Sequence, residues 1–255
     1  MQRRRFLGAS VATIIGSPAI ASEKLGEAET INRPVYADTK VALCIGISAY
    51  ENHPALTTPR ADADLLARDF IRLGIRTWVL MDPSYQELFL GISRFRILAK
   101  NADLAVVYIA GHGGFNGDGV LVFPTDMPKL QNTPDYALSE EVLVKALAGQ
   151  PRNKVLFLDC CRTTVSSRSE AKPLEHVGGL FSLYAAQPGA QAYDGMEANG
   201  PFASALSQAL KTPDEPLESV ARNTRVKVIK STGGAQIPWS KSSLLNEVIL
   251  NREKV

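Results

Sequence analysis

An α/β fold with a mainly parallel central sheet and helices on both faces is what this sequence predicts, on two observations. Strand-length runs that are apolar throughout recur along the chain, as strands buried on both faces require. Between them lie stretches whose apolar residues fall at helical spacing. With 255 residues and 45% hydrophobic content, the chain is long enough to bury a full core. No repeat of roughly 20–50 residues is visible, which argues against a solenoid or propeller.

KVALCIGIS, residues 40–48, is the first of the apolar runs. In PRADADLLARDFIRLG, Pro59 opens and Gly74 closes a helix that carries Ala61, Leu65, Leu66, Phe70 and Leu73 at helical spacing. RTWVLMD, residues 76–82, reads as a second strand, and residues 83–100 form a helix with Leu88, Ile92, Phe95 and Leu98 on one face. DLAVVYIAG, residues 103–111, is the third strand. The glycine-rich tract GHGGFNGDGV and a short strand, VLVFP, follow it. Ser139 caps the helix SEEVLVKALAG, which Gly149 closes. KVLFLD, residues 154–159, is a fourth buried strand. A polar loop, RTTVSSRSEAKPLEHVGG, leads to a fifth, LFSLYAA. Helices over 202–211 and 215–230 and a short C-terminal strand complete the chain. In sheets of this kind ligands gather at the carboxyl ends of the strands. The third strand ends at Gly111-His112-Gly113 and the fourth at Asp159-Cys160-Cys161, so both tracts leave at one edge.

The formal charge of +2 owes much to the N-terminus. Arg3, Arg4 and Arg5 precede an apolar stretch over 6–15 and a small-residue exit at Ala19-Ile20-Ala21. Arg3-Arg4-Arg5-Phe6-Leu7 resembles the twin-arginine (Tat) export signal, which implies cleavage after Ala21 and a periplasmic or secreted protein of a bacterium. An ordinary secretory signal or an uncleaved anchor is the plainer alternative. Residues 22–38 are polar and aperiodic and read as a linker, leaving one domain over 39–255. Without the three leader arginines, 28 basic residues become 25 against 26 acidic ones. That near-neutral balance implies no nucleic-acid partner and no stable membrane association once the signal is removed.

Cys44, Cys160 and Cys161 are odd in number, and two are neighbours, so they make no disulfide framework. In an oxidising compartment a retained thiol favours a reactive role for at least one of them. The chain has three histidines. His53, beside Pro54, reads as a solvated loop residue, and His176 lies in the long polar loop. His112 is bracketed by glycines at a strand end. Either it is a histidine held structurally in a tight loop, or it faces the thiol tract on the neighbouring strand. In the second case the imidazole takes the thiol proton and the thiolate attacks a carbonyl carbon. The N–H groups of Gly113 and of the cysteine itself are the natural oxyanion donors.

YIAGHGG resembles the Y-x-SGHG tract, and FLDCCR the LDACR or DSCHSG tract, of the caspase-like cysteine peptidases, with the bacterial metacaspase-like (orthocaspase) group the most similar. VALCIGISAYENHPALTTPRADADLLARDF resembles that family's opening segment, and LFSLYAAQPGAQAYDG…NGPFASAL and GGAQIPWSKSSL its closing ones. The resemblance runs from about Val41 to the C-terminus. It implies a caspase-like α/β/α sandwich, a protein or peptide substrate, Cys161 as the nucleophile at the third position of D-x-C, and His112 as general base and then acid. Cys160 stands where relatives carry a small inert residue. Cys44 reads as core packing.

The same resemblance bears on specificity. Caspases cut after aspartate through arginines, and metacaspases cut after arginine or lysine through carboxylates. The metacaspase pocket acids fall on Asp62 and Asp159, and Asp194 falls near the caspase pocket arginine, so the expected residue before the cut (P1) is Arg or Lys. Asp62 also reads as an ordinary acid at a helix N-terminus, and Asp159 as a turn residue. Ala110 replaces a small polar residue two before the histidine and takes a hydroxyl out of the pocket. Arg168 and Lys172 lie in the loop where relatives are often cleaved, which makes them candidate autoprocessing sites as well as plain surface residues. Asp118 and Asp126 form no recognisable calcium loop, so no metal or other cofactor is expected, although some metacaspases need calcium. Two further readings stay open: a caspase-fold protein that binds peptides or partners without cutting them, and a Cys160–Cys161 redox switch.

Overall fold

In the computed structural model, residues 40–117, 119–129, 136–148, 151–164, 177–195 and 197–253 are described. Six strands form the central sheet: β1 (Lys40–Gly46), β2 (Arg76–Met81), β3 (Leu104–Gly111), β7 (Asn153–Cys160), β8 (Leu180–Tyr184) and β9 (Trp239–Ser242). Their order is β2-β1-β3-β7-β8-β9. Every pairing is parallel except β8 with β9, so the antiparallel strand closes one edge. A second, antiparallel sheet of β4 (Gly113–Phe115), β5 (Val120–Val122) and β6 (Leu138–Ser139) stands beyond the end of β3. The sequence marks only β5 of these three, because β4 is glycine-rich and β6 has two residues.

Side chains alternate across the sheet and separate two cores. Ala42 and Cys44 of β1, Val106, Tyr108 and Ala110 of β3, and Val155 and Phe157 of β7 point to one face. There they meet α1 (Pro59–Arg72), α4 (Pro201–Ala209) and α5 (Leu217–Ser231). Leu43 and Ile45, Val107 and Ile109, and Leu156, Leu158 and Cys160 point to the other, against α2 (Tyr85–Ala99) and α3 (Glu140–Ala146). The helices begin where local chemistry says they should. Pro59 opens α1 with Asp62 in its first turn. Ser84 and Glu87 make a reciprocal capping box at α2, and Ser139 accepts the Val142 N–H at α3.

Register decides what the carboxyl edge presents. On β3 and β7, Tyr108 pairs with Phe157, Ala110 with Asp159, and Gly111 with Cys160. His112 and Cys161 are therefore the first residues beyond two adjacent, register-matched strands. Their place follows from parallel pairing alone.

Candidate active site

Three segments meet at the carboxyl edge: the loop after β1, the His112 turn after β3, and the Cys161 turn after β7. His112 is held at two points. Its backbone N–H donates to the Tyr50 hydroxyl at 2.7 Å, and its ring Nε2 lies 2.8 Å from the Pro54 carbonyl. A carbonyl only accepts, so Nε2 carries the proton, and in the neutral ring Nδ1 is left as the base. The Tyr50 ring lies against the imidazole, centroid to centroid 4.6 Å. Sequence reasoning missed Tyr50 and Pro54. Pro54 acts through its backbone carbonyl, which no residue-type pattern marks.

Cys161 is half-buried, and its Sγ donates to the Ala192 carbonyl at 3.5 Å. Burial pushes the thiol above its ordinary value, the Asp159 charge adds to that, and the Ala192 contact only partly opposes it. At rest the group is a thiol, so its use as a nucleophile requires a base to take the proton. Cys160 is buried on the opposite face of the sheet. Burial, with the Asp159 and Cys161 charges, pushes its thiol well up. All three cysteines are free. Ala192 packs on the α1 side and Cys160 on the α2 side, so joining the two neighbouring sulfurs would require Cys160 to leave the core.

Gly113 is packed tightly between β5 and β7. A Cβ there would stand 2.7 Å from the Leu121 carbonyl oxygen and 2.8 Å from the Cys160 Cβ. Gly113→Ala is therefore expected to push β4 off the end of β7. Where Gly113 and Cys161 supply oxyanion donors, that shift lowers kcat by about a hundredfold, the usual loss for one misplaced donor. Steady-state kinetics on a peptide substrate measure it, and an unchanged kcat would rule the donor out.

The three acids singled out from the sequence lie close enough to influence one another. Asp159 follows Phe157 on the α1 side of β7 and accepts the Tyr108 hydroxyl proton at 2.9 Å. Burial pushes its carboxyl well above the usual range, the Asp62 and Asp194 charges add to this, and the Tyr108 bond only partly opposes it. Asp62 is buried in the first turn of α1 and is more than a helix-terminal acid. It accepts Asn199 Nδ2 at 2.8 Å and the Gly200 N–H at 2.9 Å. Burial still leaves it raised. Asp194 accepts the N–H and hydroxyl of Thr57 on Oδ2 and those of Thr58 on Oδ1. Burial pushes Asp194 up, but these donors outweigh it and hold the group low. Its oxygens are thus engaged in tying Asp194 to the start of α1, whereas Asp159 accepts a single bond among the described residues. Ala110, the register partner of Asp159, lines the same face.

Arg162 was not foreseen from the sequence either. Its guanidinium is buried between the rings of Phe115, at 4.7 Å, and Tyr184, at 4.2 Å. The Tyr184 hydroxyl donates to Glu140 Oε1 at 2.5 Å, and the Val120 N–H donates to Glu140 Oε2. The Arg162 backbone holds the 187–192 turn by two bonds: its N–H to the Ala190 carbonyl, and its carbonyl from the Gly189 N–H. An arginine directly after an apolar strand was the one available signal. His53, expected as a solvated loop residue, instead lies against Phe123, with its ring 5.7 Å away. His176, Asp118, Arg168 and Lys172 lie outside the described residues. Asp126 accepts the Tyr85 N–H. Among the described residues, no group of three or more His, Cys, Asp or Glu is arranged to hold a metal ion.

Comparison with known proteins agrees with this architecture. The profile of the family described as caspase domain matches residues 39–249. The human mucosa-associated lymphoid tissue lymphoma translocation protein 1 is 26% identical over 189 residues, which cover 71% of this chain and 23% of that protein. Its mouse homologue is likewise 26% identical over 189 residues, with 22% of its length covered. The match therefore spans less than a quarter of these curated relatives. The crystal structure of caspase-1 from Spodoptera frugiperda superposes with a TM-score of 0.65 at 15% identity, covering 85% of this chain and 91% of that one.

Proposed function

The chain belongs to the caspase-domain peptidase family, and from that membership we propose that it is a cysteine endopeptidase cutting after arginine or lysine with Cys161 and His112. One observation carries the reading: the two residues directly follow the register partners Cys160 and Gly111 on adjacent strands. His112 Nδ1 takes the Cys161 proton, and Sγ attacks the scissile carbonyl carbon. The oxyanion that forms is met by the N–H groups of Gly113 and Cys161. Collapse breaks the C–N bond as His112 returns the proton to the leaving amine, leaving a thioester. Water, deprotonated by the same imidazole, attacks the thioester and frees the new carboxylate and the thiol.

The mutual influence of Asp62, Asp159 and Asp194, with no Lys or Arg paired to Asp159 among the described residues, supports a cationic P1 side chain. Asp159, with the fewest donors of its own, meets the guanidinium or ammonium. Asp62 and Asp194 shape the wall and add charge. Peptides ending in Arg, Lys or Asp before a fluorogenic group test the reading. Cleavage of the first two and not the third is expected. Preference for Asp would overturn the pocket while sparing the Cys–His pair, and no cleavage of any would overturn the peptidase. Export through residues 1–21 and self-cleavage at Arg168 or Lys172 belong to the same proposal. N-terminal sequencing of the mature protein and of its fragments checks both.

A further inference from the structure

Beside His112 stands a second histidine that the bond chemistry does not use. His53 lies on the loop after β1, with its ring centroid 6.2 Å from that of His112 and 6.3 Å from that of Tyr50. Its Nε2 donates to the Pro128 carbonyl at 3.3 Å. The next residue, Pro54, supplies the carbonyl that receives His112 Nε2. Glu51, Pro54 and Ala55 are exposed, while His53 is half-buried. The acceptor that orients His112 thus sits on a loop with little packing of its own, and proline has no N–H with which to anchor it. The nearest backbone ties are Glu51 N–H to the Thr125 carbonyl and Leu56 N–H to the Ser48 carbonyl. Neither acts on the 53–54 peptide itself.

We propose that His53 is a positioning residue: its bond to Pro128, with its ring seated against Phe123, fixes the 53–54 segment so that the Pro54 carbonyl holds the tautomer and direction of the His112 ring. The inference rests on the reading of His112 as the base for Cys161. The partner of one ring nitrogen decides which other nitrogen is free to act as base. A carbonyl that drifts releases the ring, and a misplacement of about 1 Å costs up to about a hundredfold in rate. His53 thereby acts on the chemistry without touching the substrate.

The test uses two variants of the full-length protein. His53→Phe keeps a ring beside Phe123 and Tyr50 but has no donor for Pro128, whereas His53→Gln keeps an N–H. For each, kcat and KM are measured on an Arg reporter peptide, together with the melting temperature and the rate at which iodoacetamide alkylates Cys161, located by mass spectrometry. Cys44 and Cys160 are buried, so labelling reports Cys161. His53→Phe is expected to lower kcat about tenfold at unchanged KM and to slow alkylation in proportion, with the fold intact. His53→Gln is expected to restore both rates to within about threefold. Wild-type rates in His53→Phe, or a glutamine variant as impaired as the phenylalanine one, would overturn the proposal. If the wild-type protein cleaves no peptide, the peptidase reading fails by itself. The alkylation rates then still decide the role of His53.

Discussion

Replacing Cys161 by alanine is expected to abolish cleavage of Arg and Lys reporter peptides, a loss of at least about ten-thousandfold in kcat, because no neighbouring group can form the thioester. His112→Ala is expected to lose about a thousandfold or more, since the half-buried thiol of Cys161 then has no base to take its proton. The double variant should fall no further than Cys161→Ala alone, as groups that act together are not additive. Cys160→Ala is the matched control. It removes one buried sulfur on the far face of the sheet, costs about 1 kcal/mol of stability in urea unfolding, and leaves cleavage in place. Retained turnover in Cys161→Ala, or its loss in Cys160→Ala with the fold intact, would exchange or dismiss the assigned thiol.

Asp159→Asn is expected to cut kcat/KM for an Arg peptide by about a thousandfold, chiefly through KM, because the neutral amide cannot meet a desolvated guanidinium. Asparagine keeps an oxygen for the Tyr108 hydroxyl, so the local structure survives. The same substitution should raise the melting temperature of the free protein at neutral pH. The sign follows from linkage. Burial first, then Asp62 and Asp194, raise the carboxyl in the folded state, so the folded protein binds the proton more tightly than the unfolded chain does. Its contribution to stability is fully present below the unfolded carboxylate value and is lost as pH rises through the raised folded one. The substrate sees the opposite trend: as pH falls through the raised value the pocket loses charge, and KM for the Arg peptide climbs. Melting curves and KM followed as a function of pH check both halves. A variant less stable than wild type at neutral pH would show that the acid serves the fold and not the pocket.

Apolar runs and helical spacing were enough for the order of the central strands and the helices, though not for β4 and β6, because a strand buried on both faces must be apolar throughout and α1 and α2 carry their own start signals at Pro59, Ser84 and Glu87. The D-x-C spacing was legible through the resemblance to the caspase-like peptidases. Period-two alternation puts Asp159 and Cys160 on opposite faces of β7, and the packing of Phe157 and Cys160 shows that Asp159 shares the α1 side. Which candidate site residues stand together was settled by the register Gly111↔Cys160 and Ala110↔Asp159, which is a property of two strands about fifty positions apart.

The remaining features act through the backbone or through space. Pro54 works by its carbonyl, Thr57 and Thr58 by reaching Asp194 across 137 and 136 positions, and Arg162 by rings from two other strands. By itself, then, the sequence determined the buried strands, the helix starts and the residue types available to the carboxyl edge, all of which depend on local alternation and propensity. Only the tertiary structure decided the protonated nitrogen of His112, the burial that keeps Cys161 a thiol and the crowding of three acids. Desolvation and hydrogen bonding depend on what other segments bring to the same few ångströms.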